Sequence, residues 1–80
     1  MTSNLRKQAH NCDVTVWAGK SGIDPVVEEL ATQLDTRDVV KVKFLRAARS
    51  QHSTEELAKT LAERSNATLF ETRGNTAVFH

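Results

Sequence analysis

Two hydrophobic periods divide this chain into elements. Val14-Thr15-Val16-Trp17-Ala18 is β-branched and aromatic, which predicts a strand with Val14, Val16 and Ala18 on one face and Thr15 and Trp17 on the other. Val26, Val27, Leu30, Ala31 and Leu34 then recur at helical spacing. Asp24 suits the N-cap of that helix and Pro25 its first turn, and Asp35-Thr36-Arg37 marks its end. Glu28 and Glu29 are expected near the positive end of the helix dipole. Alternation returns in Val39-Val40-Lys41-Val42-Lys43-Phe44-Leu45, a strand with Val40, Val42 and Phe44 facing one way and Lys41 and Lys43 the other. After a loop over residues 46–52, Ser53 and Glu56 have the spacing of a capping box, opening a helix that buries Leu57, Ala58, Leu61 and Ala62. Residues 67–71 and 76–79 predict two strands joined by a turn through Arg73-Gly74-Asn75. Ahead of the first strand, residues 2–11 predict a weak polar helix or arm.

These elements predict an α/β fold: one compact domain over residues 1–80, in the order (α)-β-α-β-α-β-β, around a mixed sheet of about four strands. Eighty residues leave no room for a second domain. A chain of this size buries only about 60–65% of its unfolded surface, which disfavours a deep substrate cleft. The apolar runs are too short to cross a membrane, and residues 1–7 lack the apolar stretch of a signal peptide, so a cytoplasmic protein is expected. Cys12 is the sole cysteine and can form no internal disulfide. His10, His52 and His80 have no metal-ligand spacing and read as polar surface residues; no metal or cofactor is expected.

The net charge of +1 conceals a segregated chain. Asp24, Glu28, Glu29, Asp35 and Asp38 against Arg37 give residues 24–38 a charge of −4, whereas Lys41, Lys43, Arg46 and Arg49 give residues 39–54 a charge of +4 without one acid. Such segregation builds a basic face. The first strand ends in Gly19-Lys20-Ser21-Gly22, a GxxG loop leading into a helix. Glycines let backbone N–H groups approach an anion, and Lys20 adds a mobile positive charge. A Walker A loop would need glycine at position 14, where Val14 stands. The bland alternative for this loop is a tight turn that joins strand to helix, and for the lysines a solvated strand face that protects a sheet edge. Arg46 and Arg49 extend the same charge beyond the strand, favouring phosphate contact. Trp17 is expected in the core, with base stacking as the alternative, and Phe44, Phe70 and Phe79 are also expected there. Ser53 and Glu56 are accounted for by the capping box, and Glu28-Glu29 and Glu55-Glu56 by helix dipoles, so an enzyme is not expected.

Val16-Trp17-Ala18-Gly19-Lys20-Ser21-Gly22-Ile23, the helix after it and Val39-Val40-Lys41-Val42-Lys43-Phe44 resemble the CRM domain, the YhbY-like family of RNA splicing and ribosome maturation proteins. Asn66-Ala67-Thr68-Leu69-Phe70-Glu71 and Gly74-Asn75-Thr76-Ala77-Val78-Phe79 resemble its closing hairpin. The resemblance implies an RNA-binding protein acting on ribosomal RNA of the large-subunit precursor, without a small-molecule substrate. Gly19, Lys20, Ser21 and Gly22 would contact RNA, with Lys41, Lys43, Arg46 and Arg49 beside them. A protein-interaction adaptor using the acidic first long helix is the alternative.

Overall fold

The computed structural model describes Lys7 and residues 12–50 and 52–80; the arm expected over residues 2–11 otherwise lies outside them. The described elements are β1 (Val14–Ala18), α1 (Asp24–Leu34), β2 (Val40–Phe44), α2 (Thr54–Ser65), β3 (Leu69–Arg73) and β4 (Thr76–Phe79). They form a single α/β domain around a mixed four-stranded sheet of order β1-β2-β4-β3. β1 runs parallel to β2, and β4 pairs antiparallel with both β2 and β3. The strand–helix–strand unit places β1 on one edge, and the closing hairpin inserts β4 beside β2.

The core follows from the alternation in β2. Val40, Val42 and Phe44 are fully buried, while Lys41 and Lys43 are half-buried on the opposite face. Val16, Ala18, Ala77 and Phe79 extend the buried layer across the sheet, where it meets Val26 and Leu30 of α1 and Leu57, Ala58 and Leu61 of α2. Both helices thus cover one sheet face. On the other face a small cluster joins Val39 and Val78 to Cys12 and Phe70. Phe70, expected in the core, lies here half-buried with its ring edge-on to His80.

Two local expectations are corrected. The first concerns β1, where Val14 pairs with Lys41 and Val16 with Val42, so Thr15 is an extra residue in a bulge. Val14 therefore falls in register with the lysine face and not with Val16, and Thr15 Oγ1 instead donates to Gln33 Oε1 of α1 at 2.6 Å. The second concerns the start of α1. Ile23, not Asp24, is the N-cap and makes no side-chain capping bond. Its carbonyl accepts from Val26 and Val27 N–H at 2.9 and 3.1 Å, and its side chain is buried, so burial anchors this end of the helix. Asp24 becomes the first helical residue and pairs with Arg64 of α2. Glu28 and Glu29 lie beyond the first turn, which holds Asp24 alone as its acid.

The expected capping box is present at α2. Ser53 Oγ accepts from Glu56 N–H at 3.2 Å, and Ser53 N–H donates to Glu56 Oε1 at 3.3 Å. Asn66 ends the helix in the left-handed conformation, with φ of 59°. The hairpin turn is Gly74-Asn75, and Gly74 (φ 59°) takes the positive φ that a two-residue hairpin loop needs at its first position.

Candidate functional site

Because β1 and β2 are parallel, their following loops emerge at one edge of the sheet, and the β3–β4 turn reaches the same edge. Leu45 N–H donates to Ala18 O and Phe44 N–H to Asn75 O, both at 2.8 Å, so hydrogen bonds tie the three segments together. Residues 19–22 form a tight turn in which Gly22 N–H donates to Gly19 O at 2.9 Å. Gly22 has φ of +78°, where a side chain would be strained although nothing stands within 4 Å of a Cβ there. Gly19 has no such demand; a Cβ would meet only Leu45 Cδ1 at an ordinary 3.7 Å.

This geometry changes what the turn offers. The Gly22 amide is committed within it, leaving Lys20 and Ser21 exposed at the tip. Among the described residues, neither the Lys20 nor the Ser21 N–H meets a backbone acceptor. The tip thus carries an exposed ammonium group and an exposed hydroxyl next to two backbone N–H groups without a backbone acceptor, the group types that anion sites use.

The predicted basic residues separate into three environments. Arg46 is exposed on the β2–α2 loop, next in sequence to Leu45, whose side chain is the neighbour of Gly19. Arg49 is also exposed, but its Nε donates to Phe44 O at 3.0 Å and so fastens the loop to the end of β2. Lys43 lies on the sheet face opposite the helices, level with Trp17 of β1, and Lys41 lies further from the loops, level with Val14. Among the described residues, no salt bridge engages Lys20, Lys41, Lys43, Arg46, Arg49 or Arg73. Their charge is therefore open to an external anion.

Between the turn and the start of α2 lies a cavity of about 440 Å³, lined by Lys20, Ser21, Ser50, His52 and Glu56 among others. Asp24 also lines it, with its carboxylate held by Arg64. The hydrogen bonds from Ser53 hold the Glu56 carboxyl below the usual glutamate range, with a smaller contribution from His52, whose Nδ1 lies 3.7 Å away. Both acids thus already have partners.

Sequence reasoning missed two residues of this region. Trp17, expected in the core, is 54% exposed, because β1 turns Val16 and Ala18 towards the helices. Arg73, read only as part of a turn, is the last residue of β3 and is exposed near the same edge. Parity had indeed set Trp17 apart from Val16; what it lacked was which face the helices cover.

The CRS1/YhbY (CRM) domain model matches residues 1–80. Among curated proteins, the chain is 37% identical over 67 residues to "Probable RNA-binding protein MJ0652" of Methanocaldococcus jannaschii, covering 84% of this chain and 50% of that protein. The chain thus spans half the length of this archaeal relative. It is 30% identical over 77 residues to "Probable RNA-binding protein YqeI" of Bacillus subtilis, covering 95% of this chain and 78% of that one. The solution structure of SAV1595 from Staphylococcus aureus superposes with a TM-score of 0.77 at 29% identity, covering 98% of this chain and 80% of the other.

Proposed function

The chain belongs to the CRS1/YhbY (CRM) domain family, and on that premise we propose that it binds structured RNA by its backbone, with no catalytic step. The turn Gly19-Lys20-Ser21-Gly22 meets a phosphate with the Lys20 and Ser21 amides and the Lys20 side chain. Arg46 holds a neighbouring phosphate, Lys43 and Arg49 add to the local field, and Lys41 acts from further away. Ribosomal RNA of the large-subunit precursor is the target that the family resemblance favours, which makes the protein an assembly factor. The names of the archaeal and Bacillus relatives support RNA as the ligand class.

One observation carries the reading: among the described residues no salt bridge engages Lys20, Arg46 or Arg73, which lie in or next to three segments hydrogen-bonded to one another. Backbone capture implies steep salt dependence, since each neutralised phosphate releases counterions. Replacing Lys20 and Arg46 together by alanine is expected to weaken binding to large-subunit ribosomal RNA fragments at least tenfold, roughly what losing two charged contacts implies. Melting behaviour should be unchanged, because both side chains are exposed. Equal affinity of variant and wild type in a filter-binding titration would remove the turn from the site.

A further inference from the structure

We propose that Trp17 stacks on an unpaired RNA base, with Lys43 beside it and Arg73 at the far end of the same row holding phosphates of that strand, so that the sheet face selects RNA with single-stranded nucleotides next to the backbone-binding turn. This rests on the RNA-binding reading above and adds to it the class of RNA selected.

Strand register carries the inference. Trp17 pairs with Lys43, Lys43 with Thr76, and Thr76 with Arg73, so these four residues form one row across the sheet. Three interstrand spacings make the row about 14 Å long. It lies on the face that α1 and α2 do not cover, since Ala18, Phe44 and Ala77, the neighbours of these residues in their strands, point into the core. The row contains no acid. The next row inward, Val14, Lys41, Val78 and Glu71, contains a single one, Glu71, opposite Lys41 across β4.

An indole that is 54% exposed gains little from the protein's own core, whereas every base offers a face to stack on it. A sheet face presenting an aromatic ring at one end of a row that continues into two cations suits a nucleotide strand, whose bases stack while its phosphates need positive charge. Position reinforces the match. Trp17 is two residues before Gly19, Lys43 two before Leu45, and Arg73 is the residue before the β3–β4 turn, so the row borders the edge that carries Lys20 and Arg46. Glu29 shares a shallow cavity with Trp17 on the outer side of β1, where Gln33 Nε2 donates to its carboxylate at 3.1 Å.

Trp17 is the only tryptophan, so its emission reports the site directly. The full chain would be titrated with three ribonucleotide probes: a blunt duplex, the same duplex with a short single-stranded extension, and the extension strand alone. Emission should be quenched by both probes with unpaired bases and little by the blunt duplex. Trp17→Ala should weaken the extended duplex by about 5- to 150-fold, the span of one base–aromatic stack. Trp17→Phe should retain most of the affinity, and Lys43→Ala with Arg73→Ala should lower it at low salt.

Unchanged emission at saturating RNA, or equal loss of all three probes in Trp17→Ala, would overturn the stacking site. If Trp17→Ala binds like the wild type while Lys20→Ala/Arg46→Ala does not, stacking fails and backbone capture stands. If the wild type binds no probe, both fail. Emission that changes with protein concentration and not with RNA would assign this face to a second copy of the chain.

Discussion

Arg46 and Arg49 look alike in the sequence, three residues apart in one basic loop, yet the structure predicts opposite consequences for their removal. Arg49 Nε donates to the carbonyl of Phe44 at 3.0 Å, closing the loop onto the last residue of β2. A hydrogen bond from a charged donor is worth about 1.5–3 kcal/mol, and for a solvent-exposed guanidinium the figure falls towards about 1 kcal/mol. In a domain of 60–100 residues, about 1 kcal/mol corresponds to a fall in Tm of roughly 4–8 °C. Arg49→Ala should show that loss by thermal melting or urea titration, and Arg49→Lys should restore little of it, because a lysine cannot reproduce the Nε geometry. Arg46 has no salt-bridge partner in the described residues, so Arg46→Ala should stay within about 0.5 kcal/mol of the wild type. Its effect should appear instead in RNA binding: the slope of log affinity against log salt should shrink by about 0.7–0.9, one phosphate contact. The assay is a pair of melts and a pair of binding titrations at several salt concentrations. If Arg49→Ala melts with the wild type, or Arg46→Ala keeps its full salt slope, the division of labour is wrong.

Gly22→Ala should destabilise by about 1 kcal/mol or more, since φ of +78° is strained for a side chain, while Gly19→Ala should be nearly neutral; denaturant midpoints compare the two. Glu56 has its pKa lowered, chiefly by the hydrogen bonds from Ser53, so its contribution to stability is complete above the unfolded value of about 4.3 and is lost as pH falls through the lower folded value. Glu56→Gln should therefore melt below the wild type at neutral pH, and the gap should close on acidification below about pH 4; a gap independent of pH would mean that the capping box does not depend on the charge.

Much of the fold was legible along the chain because its signals are local. Ser53 and Glu56 announce the capping box by spacing alone, and the alternation of Val40, Val42 and Phe44 with Lys41 and Lys43 separates a core face from a charged face. The same applies to Gly19-Lys20-Ser21-Gly22, whose glycines predict a turn at the end of a strand. What that turn offers was less legible, because the Gly22 amide could be assigned only once its acceptor, Gly19 O, was placed. The N-cap of α1 misled for a related reason: Asp24 has the right side chain, but burial of Ile23 sets where the helix begins, and Arg64 from another helix takes the carboxylate.

The sequence by itself determined the two faces of β2, where α2 starts and where the chain reverses, since these depend on neighbours within a few positions. Only the tertiary structure decided that Trp17 faces away from the helices, that Arg49 is tied down while Arg46 is not, and that Arg73 falls in line with Lys43. The placement of Trp17 and Arg73 depends on the strand order β1-β2-β4-β3 and on the pairing of segments far apart in the chain, and that of Arg49 on how its loop folds back onto the end of β2. Period-two alternation fixes relative orientation only within an unbulged strand. It carries no information about which strand lies alongside, or which face a helix will cover.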